Sequence, residues 1–255
     1  MKRLAIHLLL AFAAAPCLAQ DSATNAPVGV ASANAVRQPG HPPVVSGLSF
    51  HLVAEDSDTR ARALVSAVDE AAPDGFLATA DDYGFVRDSS RAIDSSKLRA
   101  FGNPPAGQIC LMERVSETLY APVFVEDPPV WRQFAPLRSC KAETALLNQS
   151  VVEGKFGKRD ARALADVTTA NARKPGTPGR RLAIVLGDAV ICAPVIREPI
   201  REGAFNLSGA FTPDEAAFLA EIIGSADPAA ATGPTPFVWD LIRPPDAATN
   251  GPPAP

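Results

Sequence analysis

The 255-residue sequence is poor in the side chains from which catalytic and metal sites are usually built. It has only 3 histidines, 4 cysteines, 2 tryptophans and 2 tyrosines. No C-x-x-C or H-x-x-x-H spacing occurs, so a zinc site has no support. Phosphate-binding loops, dinucleotide fingerprints and the G-x-S-x-G turn of serine hydrolases are also missing. The sequence therefore predicts no catalytic residue, no metal ion and no cofactor.

Positive charge is not in excess either. The chain carries 24 Lys and Arg against 28 Asp and Glu, a formal net charge of −4. Proteins that attract nucleic acids concentrate positive charge on one face or along one helix. No such basic cluster occurs here, so the sequence predicts no nucleic-acid partner.

Long apolar runs are confined to the N-terminus. Lys2-Arg3 precedes an apolar stretch from Leu4 to Ala15, and Pro16-Cys17-Leu18-Ala19 follows it. This order is typical of a secretory signal peptide, and the stretch is shorter than the roughly 20 apolar residues of a membrane-spanning helix. We expect cleavage after Ala19 and a periplasmic or secreted protein with no transmembrane span. Pro16 directly before Cys17 disfavours acylation of that cysteine as in a lipoprotein.

Three cysteines would remain after removal of the leader, and in an oxidising compartment one pair could form a disulfide. Cys192 lies inside an apolar run, which favours a buried, unpaired thiol. Cys110 and Cys140 flank a loop-rich region, and we take them as the candidate disulfide.

Composition divides the chain into regions. We expect a signal peptide over residues 1–19, a disordered linker over 20–46, an α+β domain over 47–225 and a Pro/Ala-rich disordered tail over 226–255. Residues 73–107 carry turn signals with weak periodicity and predict an irregular insertion in the domain. An apolar island from Phe237 to Ile242 interrupts the tail. It is either a docking peptide for a partner or a segment that folds back onto its own domain.

Residues 180–224 have the clearest local pattern. Leu182–Leu186 and Ala189–Ala193 are apolar runs separated by Gly187-Asp188, which predicts two covered strands joined by a two-residue turn. Pro194 has no N–H for a strand ladder, so the second strand must bulge, end or lie at an edge there. A weaker strand begins at Ala204. Thr212-Pro213-Asp214-Glu215 then predicts a helix that begins with a capping box. Helices on one face of a mixed sheet make an α+β fold.

The run LAIVLGDAVICAPVIREPIREGAFNLSGAFTPDEAAFLAEII (182–223) resembles the periplasmic head subdomain of SecD, a subunit of the bacterial protein-export machinery. The resemblance rests on the LAIVL strand, the APVIREPI segment (193–200), the S-G-x-F-T step (208–212) and the Glu215-Ala216 helix start. It continues upstream over 151–172 and covers about a third of the chain well. The chain departs from the family at Gly187-Asp188, where Asp-Gly is commoner, and at Cys192, where a small residue such as Ser is usual.

This resemblance implies a ferredoxin-like, SecD-head-like fold and a non-enzymatic binding or accessory role. Exported polypeptides or envelope proteins would be the partners, with the Sec translocon among them. Because no apolar span follows the leader, proton-driven pumping through a membrane part does not transfer to this sequence. The candidate partner-binding residues lie in the APVIREPI segment and in the tail island: Pro194, Arg197, Glu198, Phe237, Trp239 and Ile242.

Two other functions stay open at this point. One is a secreted enzyme whose site combines dispersed carboxylates with His51. The other is a structural envelope protein, in which the tails are spacers and the island is an anchor.

Overall fold

In the computed structural model of the protein, the described residues are 47–67, 72–78, 84–88, 90–145, 149–209, 211–226 and 237–242. The expected signal peptide, the linker before residue 47 and most of the tail lie outside them. The secondary structure, in chain order, is β1 Ser49–Leu52, α1 Ser57–Ser66, β2 Phe76–Ala78, β3 Phe85–Arg87, α2 Ser95–Ala100, β4 Gln108–Arg114, β5 Leu119–Glu126, β6 Trp131–Arg132, β7 Ser139–Thr144, β8 Ser150–Lys155, α3 Lys158–Asn171, β9 Leu182–Leu186, β10 Ala189–Cys192, β11 Ala204–Ser208, α4 Pro213–Ser225 and α5 Val238–Ile242.

The described strands form two sheets. Eight lie in the order β2-β3-β5-β4-β10-β9-β1-β6, and three in the order β11-β8-β7. β4 and β10 are parallel neighbours, whereas the other pairs of the large sheet are antiparallel. The mixed sheet and the few helices confirm the predicted α+β class. Residues 73–107, expected as an irregular insertion, contain β2, β3 and α2.

The large sheet curls until the end of β1 meets β5. Val53 forms a bridge with Val125, and the Ala54 N–H donates to the Phe124 carbonyl at 2.9 Å. The inward side chains of four strands and of two residues that follow β1 and β10 then pack together as a small apolar cluster of Val53, Ile109, Leu111, Val123, Val125, Ala183, Val185, Val190 and Ala193. This closure explains why β9 and β10 are apolar on both faces: one face lines the inside of the curl and the other meets the main core.

The outer face of the curled sheet shares its core with the helices and the small sheet. Leu182, Ile184 and Leu186 of β9 belong to one cluster with Val152 of β8 and Leu219 of α4. α4 packs on β7 and β8, and five of its apolar residues are buried. Its start is as predicted, since the Thr212 hydroxyl accepts from the Glu215 N–H and the Glu215 carboxylate accepts from the Thr212 N–H. No helix among the described residues is long and apolar enough to cross a bilayer.

Candidate functional site

The APVIREPI segment leaves the sheet directly after β10. Three outcomes were expected at Pro194, namely a bulge, the end of the strand or a sheet edge, and the edge is not observed because β10 lies between β4 and β9. β10 contains an irregularity between Val190 and Cys192 and ends there, two residues before the proline that cannot continue a ladder. The Pro194 carbonyl accepts from the Leu182 N–H at 2.9 Å. The segment is thus fixed to the start of β9.

A surface groove runs between this segment and the loop before β9. The Ile196 N–H donates to the Arg180 carbonyl at 2.8 Å, and the Ile196 carbonyl accepts from the Arg173 N–H at 3.0 Å. These bonds hold two walls, one formed by Arg173 and residues 176–179 and the other by Val195, Arg197 and Glu198. The walls border an open surface groove with a volume of about 830 Å³. We call it the 173–198 groove.

The two walls approach so closely that one of them needs a glycine. A Cβ atom on Gly179 would lie 2.1 Å from the Ile196 carbonyl oxygen, far inside van der Waals contact. Ile196 itself is buried and anchors the second wall. The rim is exposed: Val195 is 38% accessible, and Arg197 and Glu198 are exposed. The groove therefore offers an apolar contact, both signs of charge and a rigid backbone.

The second group of candidate residues lies in the C-terminal segment, residues 237–242, which folds back onto the domain. Phe237, Val238 and Trp239 are buried. The Phe237 ring lies 5.8 Å from the rings of both Phe76 and Tyr120. The segment is therefore packed on the domain, which is the fold-back alternative. Ile242 is the last residue of α5.

Two arginines that the sequence did not single out hold this segment. Arg87 Nε and Nη2 donate to the two carboxylate oxygens of Asp240 at 2.9 and 2.6 Å. The Arg114 guanidinium lies 5.3 Å from the ring centroid of Trp239, and the Phe211 ring is stacked on the same indole with the ring centroids 6.0 Å apart. The partners are 153 residues apart in the case of Arg87 and Asp240, so no local pattern could have indicated them. We call Phe76, Arg87, Arg114, Tyr120 and Phe211 the C-terminal seat.

Arg87 is oriented by the backbone independently of Asp240. Its Nη1 donates to the carbonyls of Gly75 and Asp88, and its Nη2 also donates to the Arg91 carbonyl at 3.0 Å. A buried guanidinium needs such partners, because each unsatisfied donor is costly. The Nε–Nη2 edge of the guanidinium is thereby free to bind a carboxylate in the bidentate geometry that arginine favours.

The candidate disulfide is not formed. Cys110 is buried in β4 of the large sheet, Cys140 is half-buried in β7 of the small sheet, and both thiols are free, as is Cys192. Cys110 and Cys140 belong to strands of different sheets, which keeps them apart. Burial raises the pKa of the Cys110 thiol to about 12 and that of Cys140 to about 11, so neither is an activated nucleophile.

His51 lies on the inner side of the curled sheet and is not accessible. Its Nδ1 donates to the Glu126 carbonyl at 2.8 Å, and its Nε2 lies 3.2 Å from the Ser49 hydroxyl. Burial lowers the pKa of His51 below its usual value. The residue is therefore placed as a neutral structural group. The part of the chain that the structure describes also contains no cluster of three or more residues able to hold a metal ion.

Together, the β9–β10 hairpin, the APVIREPI connection and the capped helix on a mixed sheet define a head-type α+β module. The family model "SecDF, P1 head subdomain" matches residues 135–227, which run from just before β7 to the end of α4. This match confirms the resemblance drawn from the sequence: residues 135–227 are similar to the SecDF P1 head subdomain.

Curated relatives agree with the family match. The chain is 37% identical over 87 residues to the protein translocase subunit SecD of Dictyoglomus turgidum. This match covers 34% of this chain and 20% of that protein. It is 32% identical over 128 residues to the SecD of Calditerrivibrio nitroreducens, covering 48% and 24%. The chain therefore spans about a quarter or less of the relatives it matches.

Among solved structures, the chain is similar to one described as SecDF, a membrane component that enhances protein export. The identity is 21%, the TM-score is 0.42, and the match covers 76% of this chain and 74% of that one. A second is SecDF in a super-membrane-facing form, with 20% identity, a TM-score of 0.41, and 71% and 19% of the two chains covered.

Proposed function

We propose that this chain is a non-enzymatic, periplasmic accessory module of protein export, which binds extended segments of exported polypeptides in the 173–198 groove. The SecD head-like match supports the link to protein export, since the relatives are translocase subunits. The Sec translocon and other envelope proteins are the further partners that this assignment implies.

The observation that carries the proposal is the groove itself. Its volume of about 830 Å³ is of the size of sites that bury a substantial ligand, commonly about 300–1,000 Å³. Val195 supplies an exposed apolar contact, while Arg197 and Glu198 supply opposite charges at the rim. Such a mixed, open lining suits polypeptide segments of varied sequence better than one small molecule.

The wall geometry supports binding without rearrangement. Ile196 is bonded through both its N–H and its carbonyl to the opposite wall, at 2.8 and 3.0 Å. A preformed groove loses little conformational entropy when a segment binds, and this favours affinity.

The two alternative functions find no support at their proposed sites. The enzyme hypothesis relied on His51, which is buried and bonded to Glu126 and Ser49. The structural hypothesis used the tail island as an anchor, whereas Phe237 and Trp239 are buried in their own domain.

Site-specific photocrosslinking tests the proposal. A photoreactive phenylalanine analogue is placed at Val195 or Arg197 of the purified protein, which is then mixed with an unfolded secretory protein. Val130 is the matched control, because it is also 38% accessible and does not line the groove. We expect crosslinks from positions 195 and 197 and none above background from position 130. Equal crosslinking from all three positions would overturn the proposal.

A further inference from the structure

We propose that the C-terminal seat is a second peptide-binding groove, which takes in trans a polypeptide segment with two aromatic residues two positions apart, followed by an acidic residue. The chain's own residues 237–242 occupy this groove as a tethered ligand. The inference concerns a surface separate from the 173–198 groove and does not require that groove to bind anything.

The contacts in the seat are those of side-chain recognition. Each anchor of the segment has its own partners: Phe237 contacts Phe76 and Tyr120, and Trp239 contacts Phe211 and Arg114. Asp240 is gripped by two parallel bonds from Arg87. Aromatic and arginine anchors of this kind dominate binding energy at protein interfaces.

The arginine that binds Asp240 also has hydrogen-bond partners outside the segment. Arg87 is held by the carbonyls of Gly75, Asp88 and Arg91, and with the segment in place its side chain is only 5% accessible. If Asp240 left, the three carbonyl bonds would remain and the guanidinium would lack a counter-ion. An unpaired charge of this kind is strongly unfavourable, so departure of the segment favours entry of another carboxylate.

The chain's own segment fills the seat imperfectly. The Trp239 Nε1–H is buried and has no hydrogen-bond partner among the described residues, which weakens its binding relative to a ring without a polar donor. α5 has only five residues, so it depends on the seat for its helical form. A competing segment with phenylalanine at the position of Trp239 keeps an aromatic contact and avoids the unsatisfied donor.

The segment lies outside the SecD head match, which ends at residue 227. Four of the five seat residues, Phe76, Arg87, Arg114 and Tyr120, likewise precede the matched range, and Phe211 lies within it. The C-terminal segment and most of the seat therefore lie outside the residues that the family model matches, and Phe211 joins the seat to the matched part.

Fluorine NMR on residues 20–255, the expected mature chain, tests the inference. The chain has 2 tryptophans, so incorporation of 5-fluorotryptophan gives one signal for Trp239 and one for Trp131, assigned with the Trp131→Phe variant. The added probe is the synthetic peptide PFVFDLIR, which is the sequence of residues 236–243 carrying the change Trp239→Phe. We expect the Trp239 signal to move to a solvent-exposed position while the Trp131 signal stays unchanged.

Two variants sharpen the test. In the full chain, Asp240→Asn removes the charge that holds the segment, so half-displacement should need at least tenfold less peptide than in the unaltered protein. The peptide PFVFKLIR, which has lysine in place of the aspartate, should not displace Trp239.

Three outcomes would overturn the inference. The first is an unchanged Trp239 signal at millimolar PFVFDLIR, in the unaltered protein and in the Asp240→Asn variant alike. The second is equal displacement by the lysine peptide. The third is a concentration-dependent shift without peptide, accompanied by dimerisation, which would make a second copy of this chain the partner. Since none of these readouts involves Val195 or Arg197, failure here is distinguishable from failure of the 173–198 groove.

Discussion

At the residue scale, the ion pair between Arg114 and Glu215 ties the large sheet to α4. The two groups are 2.9 Å apart, and their side chains are only 7% and 9% accessible. Removing one partner of a buried pair leaves the other charge without compensation, at a cost of about 3–5 kcal/mol. We expect Arg114→Met to lower the free energy of unfolding by about this amount, as measured by urea denaturation.

An exposed ion pair provides the control for that substitution. Lys97 lies 2.8 Å from Asp74, but its side chain is 68% accessible, so solvent screens the interaction. Lys97→Met should leave the denaturation midpoint unchanged. If both substitutions shifted the midpoint equally, burial would not be the reason for the importance of Arg114.

His51 makes a second residue-scale prediction, which concerns pH. Burial is the largest cause that lowers the pKa of His51, while the bond to the Glu126 carbonyl opposes it. The unfolded chain, with a pKa near the usual 6.5, therefore binds a proton more readily than the folded protein. Stability is then complete above about pH 6.5 and falls as the pH drops toward the lowered folded pKa.

The measurement is the free energy of unfolding at pH 7.5, 6.5 and 5.5. His51→Asn keeps a donor that can reach the Glu126 carbonyl and removes the titration, so the fall below pH 6.5 should be smaller in this variant. Burial also raises the pKa of Glu113, which contributes with the opposite sign, so the difference between the two proteins is the quantity to compare. Identical pH profiles would show that His51 does not titrate in this range.

At the element scale, the pairing of β8 and β11 depends on a glycine covered by a ring. Gly154 lies opposite Phe205, and a Cβ atom at Gly154 would lie 2.0 Å from Phe205 Cζ. The ring in turn packs on Phe156 at 4.8 Å. Gly154→Ala must displace the ring, and we expect a loss of about 1–3 kcal/mol, as for other overpacked sites.

A double-mutant cycle shows whether the ring is the cause. In the Phe205→Ala background, the methyl group added by Gly154→Ala has room, so its effect on the unfolding midpoint should be much smaller. Strict additivity of the two substitutions would place the strain elsewhere.

The elements that local patterns predicted are those whose signals lie within a few residues. The hairpin of Leu182–Leu186 and the strand starting at Ala189, and the capping box of α4, occur where the sequence predicted them. β2 and β7 were not predicted: one has three residues, and the other is mostly exposed, so neither has a hydrophobic period to detect. The curl of the large sheet depends on Val53 meeting Val125, which no local pattern specifies.

The candidate functional site was likewise predicted only in part from the sequence. The APVIREPI segment was indicated by its prolines and by family resemblance, and the structure places Val195, Arg197 and Glu198 on one wall of a groove. The loop that forms the other wall, and the seat residues Arg87 and Arg114, are brought in only by the tertiary fold. The sequence thus indicated one side of each contact, and the tertiary fold supplies the other.

At the scale of the whole molecule, one hydrophobic core joins all the layers described. Residues of β1, β9, α3, α4 and the C-terminal segment belong to the same buried cluster. Cohesion thus comes from packing, and the three thiols take no part in it as a covalent link. A core of this extent predicts that the described domain unfolds in one cooperative transition.

The free thiols allow a test of the disulfide that was expected from the sequence. Since Cys110 and Cys140 are free, a reductant should not change the thermal unfolding midpoint of residues 20–255. Burial holds the thiol pKa values at about 12 for Cys110 and about 11 for Cys140, so at pH 8 few thiolates form in the folded state. We expect three thiols to react rapidly with Ellman's reagent in urea and slowly in the native protein, with half-buried Cys140 reacting first. The Cys140→Ser variant should lose that earliest phase and keep the midpoint of the parent protein within the error of the measurement, because no cross-link is removed. A midpoint that falls on reduction, or a single reactive thiol in urea, would instead mean that two cysteines are joined in the protein.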